Sequence, residues 1–172
     1  MIPELVTERL LLRRLELSDF DAYAAICADP EVRRYLGDGR PLERPAAWRE
    51  MAFLLGHWEL RGFGQWAVVK RDNEELLGRA GLWQPEGWPG LEVGWVFGRP
   101  YWGRGFATEA ARAGLDHAFS ALGAQRVISL IHPENERSIR VAQRLGERYE
   151  RHVELSRTPH HVYGIERSSW EG

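Results

Sequence analysis

The apolar positions change period along the chain, and the changes mark the elements. Leu10-Leu11-Leu12 sits in an apolar-rich stretch, 5–17, that predicts a first strand. Ser18-Asp19 has the form of a helix N-cap, followed at helical spacing by Ala22, Tyr23, Ile26 and Cys27. Asp29-Pro30 stops that helix, because the residue before a proline is pushed out of the helical region. A short helix over 31–36, a glycine-rich loop over 37–41 and a longer helix over 45–60 follow. Trp48, Met51, Leu55 and Trp58 form one face of the longer helix. The period then shortens. Strands are predicted over 65–70, 75–83 and 91–97, with Gly78 and Gly81 as bulge positions. In the last of these, Glu92, Gly94 and Val96 face one way and Val93, Trp95 and Phe97 the other.

A helix over 106–122 buries Ala107, Ala111, Leu115, Ala118, Phe119 and Leu122, and Gly123 ends it. Val127 to Ile131 is a short apolar strand of the buried kind. Residues 135–145 form a helix closed by Gly146, and strands over 148–155 and 161–167 end the chain. This order predicts a single α+β (α/β) domain over 1–172, a mixed, mostly antiparallel sheet of six to seven strands flanked by helices.

Length and composition narrow the function. The chain has 172 residues, 44% of them hydrophobic, enough to bury one core without metals or disulfides. Its formal net charge of −2 argues against nucleic acid or an anionic membrane as a partner. Cys27 stands alone, so no intrachain disulfide forms. The opening residues do not form a signal peptide and no apolar run is long enough to span a membrane, so a cytoplasmic location is expected. Of the 23 basic residues only Lys70 is a lysine. The arginines are spread along the whole chain, which fits a compositional bias better than an anion site.

Trp102-Gly103-Arg104-Gly105-Phe106-Ala107 stands between a strand and a helix. Glycines let a backbone turn tightly, and the free N–H groups at a helix start attract an anion. Two glycines alone also fit a plain strand-to-helix turn. No Gly-Lys-Ser/Thr follows, so this is not a P-loop, and Thr108 replaces the third glycine of a dinucleotide fingerprint.

The run from Leu91 to Ala110 resembles the acyl-CoA signature of the GNAT N-acetyltransferases, most closely the branch that includes the ribosomal-protein N-terminal acetyltransferases. Thr7 to Arg13 resembles the branch's opening strand. Asp29-Pro30-Glu31-Val32 resembles its early helix stop, and Asn135-x-x-Ser138-x-x-Val141-x-x-x-Leu145-Gly146 its late helix. The resemblance implies a sheet splayed for the CoA arm, with acetyl-CoA as co-substrate, no metal, an amine acceptor and a homodimer as one possible assembly. It places Trp95, Val96 and Phe97 along the pantetheine. Trp102, Gly103, Arg104, Gly105, Phe106, Ala107 and Thr108 fall at the pyrophosphate, and Asn135 and Ser138 near the thioester. Arg104 either reaches a phosphate or is solvated. Thr108 either meets phosphate or caps its own helix.

Acetyl transfer to an amine needs a base, donors for the tetrahedral oxyanion and a proton for the departing thiolate. Glu92 is the candidate base; the alternative is a glutamate that orients substrate or forms an ion pair. Backbone N–H groups near Val96 and Phe97 are the oxyanion donors by resemblance. The tyrosine that many of these enzymes carry four residues after the Ser138 position is Ala142 here. Ser138 is then the candidate proton source, unless it only caps or packs its helix. No histidine motif forms a metal set and no Gly-x-Ser-x-Gly occurs. An idle acyl-CoA-binding module and a transferase of a longer acyl group stay open. The acceptor is not legible. Trp48, Trp58, Trp83 and Trp88 line either its groove or the core and rim.

Overall fold

The computed structural model describes residues 2–172. One eight-stranded sheet has the order β1-β2-β3-β4-β5-β6-β8-β7. Its strands are β1 Leu5–Val6, β2 Leu10–Arg13, β3 Gln65–Lys70, β4 Leu76–Trp83, β5 Glu92–Phe97, β6 Arg126–Ile131, β7 Arg148–Leu155 and β8 Thr158–Glu166. The helices are α1 Phe20–Ala28, α2 Pro30–Arg33, α3 Arg44–Arg61, α4 Phe106–Ser120 and α5 Glu136–Arg144. The eight strands exceed the six to seven expected because the first strand is broken. Thr7 turns the chain, its amide donating to the Leu10 carbonyl at 2.9 Å and its Oγ1 accepting the Leu10 N–H at 3.0 Å. The last strand begins at Thr158 rather than His161, because Ser156 and Arg157 take left-handed φ values of 50° and 64°. That geometry turns a tight hairpin.

Every pairing is antiparallel except β5 with β6. That parallel pair has one register match, Glu92 with Ile128, and the strands then diverge. Of the two expected bulge positions, the bulge lies in β4 at Leu77, beside Gly78, where Val68 pairs with Gly78 and Val69 with Leu76; β4 is regular at Gly81.

α1 and α3 cover one face of the sheet, packing Tyr23, Met51 and Leu54 over Ala67 and Val69. α4 and α5 cover the other, with Leu115, Phe119, Val141 and Leu145 over Val93, Val127 and Ile165. Two expected stripes shift. α3 buries Ala47, Met51, Leu54, His57 and Trp58, while Trp48 is half-exposed and packs edge-on against Phe20. α4 ends before Leu122, which is exposed, and it buries Phe106, Ala110 and Gly114 beside Ala111, Leu115, Ala118 and Phe119.

Candidate active site

Where β5 and β6 part, a cleft of about 1330 Å³ runs across the molecule. It is lined on one side by the glycine loop and on the other by residues of α2, α3 and β4. The parting has a local cause. Ile128 donates its N–H to the Leu91 carbonyl at 2.8 Å, which is the last regular rung. At the next position the Ser129 hydroxyl donates to the Val93 carbonyl at 2.8 Å in place of a backbone amide. Leu130 turns its N–H toward Glu92 Oε1, a long contact at 3.5 Å. The same Ser129 oxygen lies 3.0 Å from Glu147 Oε1. A hydroxyl has one proton, so Ser129 can donate to only one of the two. With that proton on Val93, Glu147 is the donor toward Ser129 and holds its own proton, the form that its burial favours. Burial pushes the Glu147 acid well up, the Ser129 contact opposes this, and the charge of Glu92 adds to the rise. Its other oxygen is buried without a partner among the described residues.

The register with β4 sorts the backbone groups of β5. Gly98 donates to Leu77, and Arg79 pairs with Val96 and Gly81 with Gly94. The amides of Gly94 and Val96 thus point at β4, and those of Trp95 and Phe97 at the gap. Of the two expected oxyanion amides, Phe97 faces the gap and Val96 does not. The Phe97 carbonyl accepts from Trp102 Nε1 at 2.8 Å, so Trp102 locks the end of the strand. Its ring also carries the Arg137 guanidinium at 3.9 Å.

The glycine loop has the geometry of an anion cradle. Gly103 and Gly105 take φ of 71° and 81°, values that suit residues without Cβ. Gly105 is the N-cap of α4 and supplies no side-chain cap. The amides of Gly103, Arg104, Gly105, Phe106, Ala107 and Thr108 donate to no group among the described residues. Thr108 lines the cleft and does not cap its helix, and Arg104 lies over the Phe106 ring at 5.3 Å.

A support that sequence reasoning missed holds this loop. Arg9 donates to the Arg104 carbonyl at 2.9 Å and to Glu109 Oε2 at 2.7 Å. Glu109 also accepts from the Thr7 hydroxyl at 2.6 Å and the Arg9 amide at 2.8 Å. The signal lay in Thr7 to Arg13, whose likeness to a family strand carried no role.

Glu92 projects from β5 onto the α3 face, beside Gly94. Oε2 accepts from Trp88 Nε1 at 2.7 Å. Burial pushes its carboxyl up to about 7, against the opposing pull of Trp88, the Leu130 amide and Arg79. That is a carboxyl able to take up or release a proton near neutral pH. Gly94 keeps the space beside it open: a Cβ there would lie 3.2 Å from Gln65 Nε2 and 3.5 Å from Glu92 Oε1.

Beyond the end of β6, Asn135 caps α5 by accepting the Ser138 amide at 3.3 Å. Ser138 lines the cleft, and its hydroxyl has no partner among the described residues. Ala142 is fully buried and packs with Ile131 and Tyr163. The four tryptophans divide. Trp83 and Trp88 line the cleft, Trp58 is buried and donates to the Gln65 carbonyl at 2.8 Å, and Trp48 lies outside. His57 stacks on Trp83 with ring centres 4.3 Å apart. Among the described residues no cluster of His, Cys, Asp and Glu could hold a metal ion, and no helix is long and apolar enough to cross a membrane.

Comparison with known proteins agrees with this geometry. Residues 9–148 match the acetyltransferase (GNAT) domain. The chain is 32% identical over 144 residues to the uncharacterized N-acetyltransferase p20 of Bacillus licheniformis, covering 83% of this chain and 80% of that protein. The crystal structure of an acetyltransferase from Agrobacterium tumefaciens is similar with a TM-score of 0.86 at 33% identity, over 96% of this chain and 95% of that one. RimJ of Mycobacterium smegmatis, solved in complex with CoA-disulfide, shares the fold with a TM-score of 0.77 at 18% identity, over 95% and 84% of the two chains. The splayed mixed sheet, the glycine cradle and these matches together place the chain in the GNAT acetyltransferase family.

Proposed function

We propose that this protein transfers the acetyl group of acetyl-CoA to a primary amine, of a small molecule or of a protein N-terminus, by direct attack within a ternary complex. The observation that carries the reading is Glu92, a carboxyl poised near neutrality at the point where β5 and β6 part. The unpartnered amides from Gly103 to Thr108 fit a pyrophosphate. The gap-facing backbone of Trp95 and Phe97 fits the amides of a pantetheine arm, and the CoA-disulfide named for the RimJ complex is consistent with such a ligand in this fold.

An ammonium has no lone pair to attack with. Glu92 accepts the amine proton, directly or through one water, and the neutral nitrogen forms its bond to the thioester carbon. The oxygen of that carbonyl takes up negative charge, and the amides of Trp95 or Phe97 stabilise it. When the carbon–sulfur bond breaks, the thiolate takes a proton from the Ser138 hydroxyl, which takes one in turn from water in the cleft and so relays it without being left as an alkoxide.

The reading is tested by following CoA thiol release from acetyl-CoA over a panel of primary amines. Release stimulated by an amine, with the acetylated amine as product, is expected. Tight CoA binding with no stimulation by any amine would instead make the chain a CoA-binding module.

A further inference from the structure

The wall of the cleft beyond Gly94 holds a charge arrangement that acetyl transfer alone does not require. Arg79 of β4 points onto the same face as Glu92, because its register partner Val96 shares that face with Glu92 and Gly94. Above it stand Arg33 of α2 and Glu50 of α3. Glu50 accepts from Tyr23 at 2.7 Å, from Arg33 Nη1 at 2.9 Å and, more distantly, from Arg79 Nη2 at 3.5 Å. Arg79 Nη1 also donates to Gln65 Oε1. Burial raises the Glu50 carboxyl, but Arg79, Tyr23 and Arg33 outweigh it and hold it below its ordinary value, so Glu50 is ionised.

One carboxylate therefore serves two guanidiniums. Arg33 is 6% exposed and the Arg79 side chain 12% exposed, and the Nε of each is buried with no partner among the described residues. The nearby acids do not restore the balance. Glu92 is held from its other side by Trp88 and is only partly ionised near neutrality. Glu31 and Glu86 are exposed at the rim, where Glu86 faces Arg61. A surplus positive charge sheltered from water is costly unless something anionic meets it. Arg33, Glu50, Gln65 and Arg79 all line the same cleft as Glu92. A ligand in the cleft can reach both the base and the cations.

We propose that the acceptor carries an anionic group, a carboxylate in its simplest form, which binds against Arg79 and Arg33 while its amine lies at Glu92. This rests on the transferase reading above and adds the class of acceptor. The planar guanidinium fork matches a carboxylate with two parallel hydrogen bonds. Gly94 and Gln65 form the floor between the anion subsite and the base. Trp83 and Phe53, packed edge-on at 5.1 Å, offer an apolar wall for the acceptor's remaining atoms. The same cations oppose a second ammonium, so diamines are poor acceptors.

The test measures kcat and KM of the full-length protein for a panel of free α-, β- and γ-amino acids. Each is set against its own carboxamide, with 1,4-diaminobutane alongside. A charge-assisted contact of this kind favours the free acid by at least about tenfold, expressed mainly in KM. Arg33→Gln and Arg79→Gln bring the acid-to-amide ratio toward one while the Kd for CoA stays unchanged; unchanged CoA binding shows that the variants fold. A peptide arm compares Asp with Asn directly after the N-terminal residue. An Asp preference of the same size, with free amino acids inert, keeps the anion subsite and assigns its ligand to a peptide side chain. Equal or better use of carboxamides or the diamine by the unmodified protein overturns the proposal. Failure of every amine to be acetylated overturns the transferase reading and this proposal together, whereas transfer without an acid preference overturns this proposal alone.

Discussion

The buried Ser129–Glu147 pair makes a prediction that depends on which group holds the proton. Ser129 Oγ lies 2.8 Å from the Val93 carbonyl and 3.0 Å from Glu147 Oε1, and both Ser129 and Glu147 are buried. If Glu147 is the donor, the folded protein holds a proton that the unfolded chain releases above about pH 4.3. The folded value is raised, so the stabilisation is complete below the unfolded value and is lost as pH rises toward the folded one. Within that window the contribution falls by about 1.4 kcal/mol per pH unit. Glu147→Gln keeps a donor toward Ser129 and has no proton to lose, so its stability lacks this slope. Ser129→Ala leaves both the Val93 carbonyl and the Glu147 acid without a partner, and each buried unpaired group costs roughly 1–3 kcal/mol. Urea unfolding of the unmodified protein and both variants, from pH 5 to pH 8, gives the comparison. The difference between the unmodified protein and Glu147→Gln should shrink and then reverse in favour of the variant as pH rises. A difference constant across the range would mean that Glu147 is ionised in the folded state, and the proton assignment would be wrong.

Other outcomes are open to direct measurement. Arg9→Ala removes the hydrogen bond to the Arg104 carbonyl. Because Arg9 is well exposed, the effect should be modest, a rise in the KM for acetyl-CoA of about two- to fivefold with kcat nearly constant. Ser138→Ala should lower kcat by at least about tenfold with the Kd for CoA unchanged, as expected for a lost proton donor; full turnover would remove Ser138 from the reaction. His57 donates to the Phe63 carbonyl at 2.9 Å and accepts the Gln84 amide at 3.1 Å, an arrangement that requires the neutral ring. Burial lowers its titration, so its stabilisation is complete above about pH 6.5 and is lost as pH falls from there toward the lowered folded value. A stability difference between the unmodified protein and His57→Asn that did not change from pH 7 to pH 5 would refute that role.

Much of this site was legible along the chain because its parts are local. The alternation that put Glu92, Gly94 and Val96 on one face of β5 is a property of six consecutive residues, Glu92–Phe97. The glycine loop and the Asn135 cap are likewise short-range features. The groups that sequence reasoning missed are joined across long separations. Arg9 and Glu109 are 100 residues apart, and Ser129 and Val93 are 36 apart. No period in the sequence predicts such meetings; they follow from which strands become neighbours. The cation pair was hidden for the same reason, since Arg33, Glu50 and Arg79 come from three elements and each looks ordinary in its own segment. The stripe on α3 shifted because its buried side was set by the strands beneath it, which the helical period does not encode. The single-edge match of β5 with β6 could not be read either, since it depends on a serine taking the place of a backbone rung.

The central claim is that Glu92, at the parting of β5 and β6, takes the amine proton. Its most direct test is the pH dependence of kcat at saturating acceptor and acetyl-CoA, compared with that of Glu92→Gln. The unmodified protein should lose activity about tenfold per pH unit below an inflection near pH 7, where the burial-raised carboxyl titrates. The variant should bind CoA normally, turn over about 10²- to 10⁴-fold more slowly and show no such inflection. A Glu92→Gln protein with full kcat and an unchanged pH profile would contradict the account.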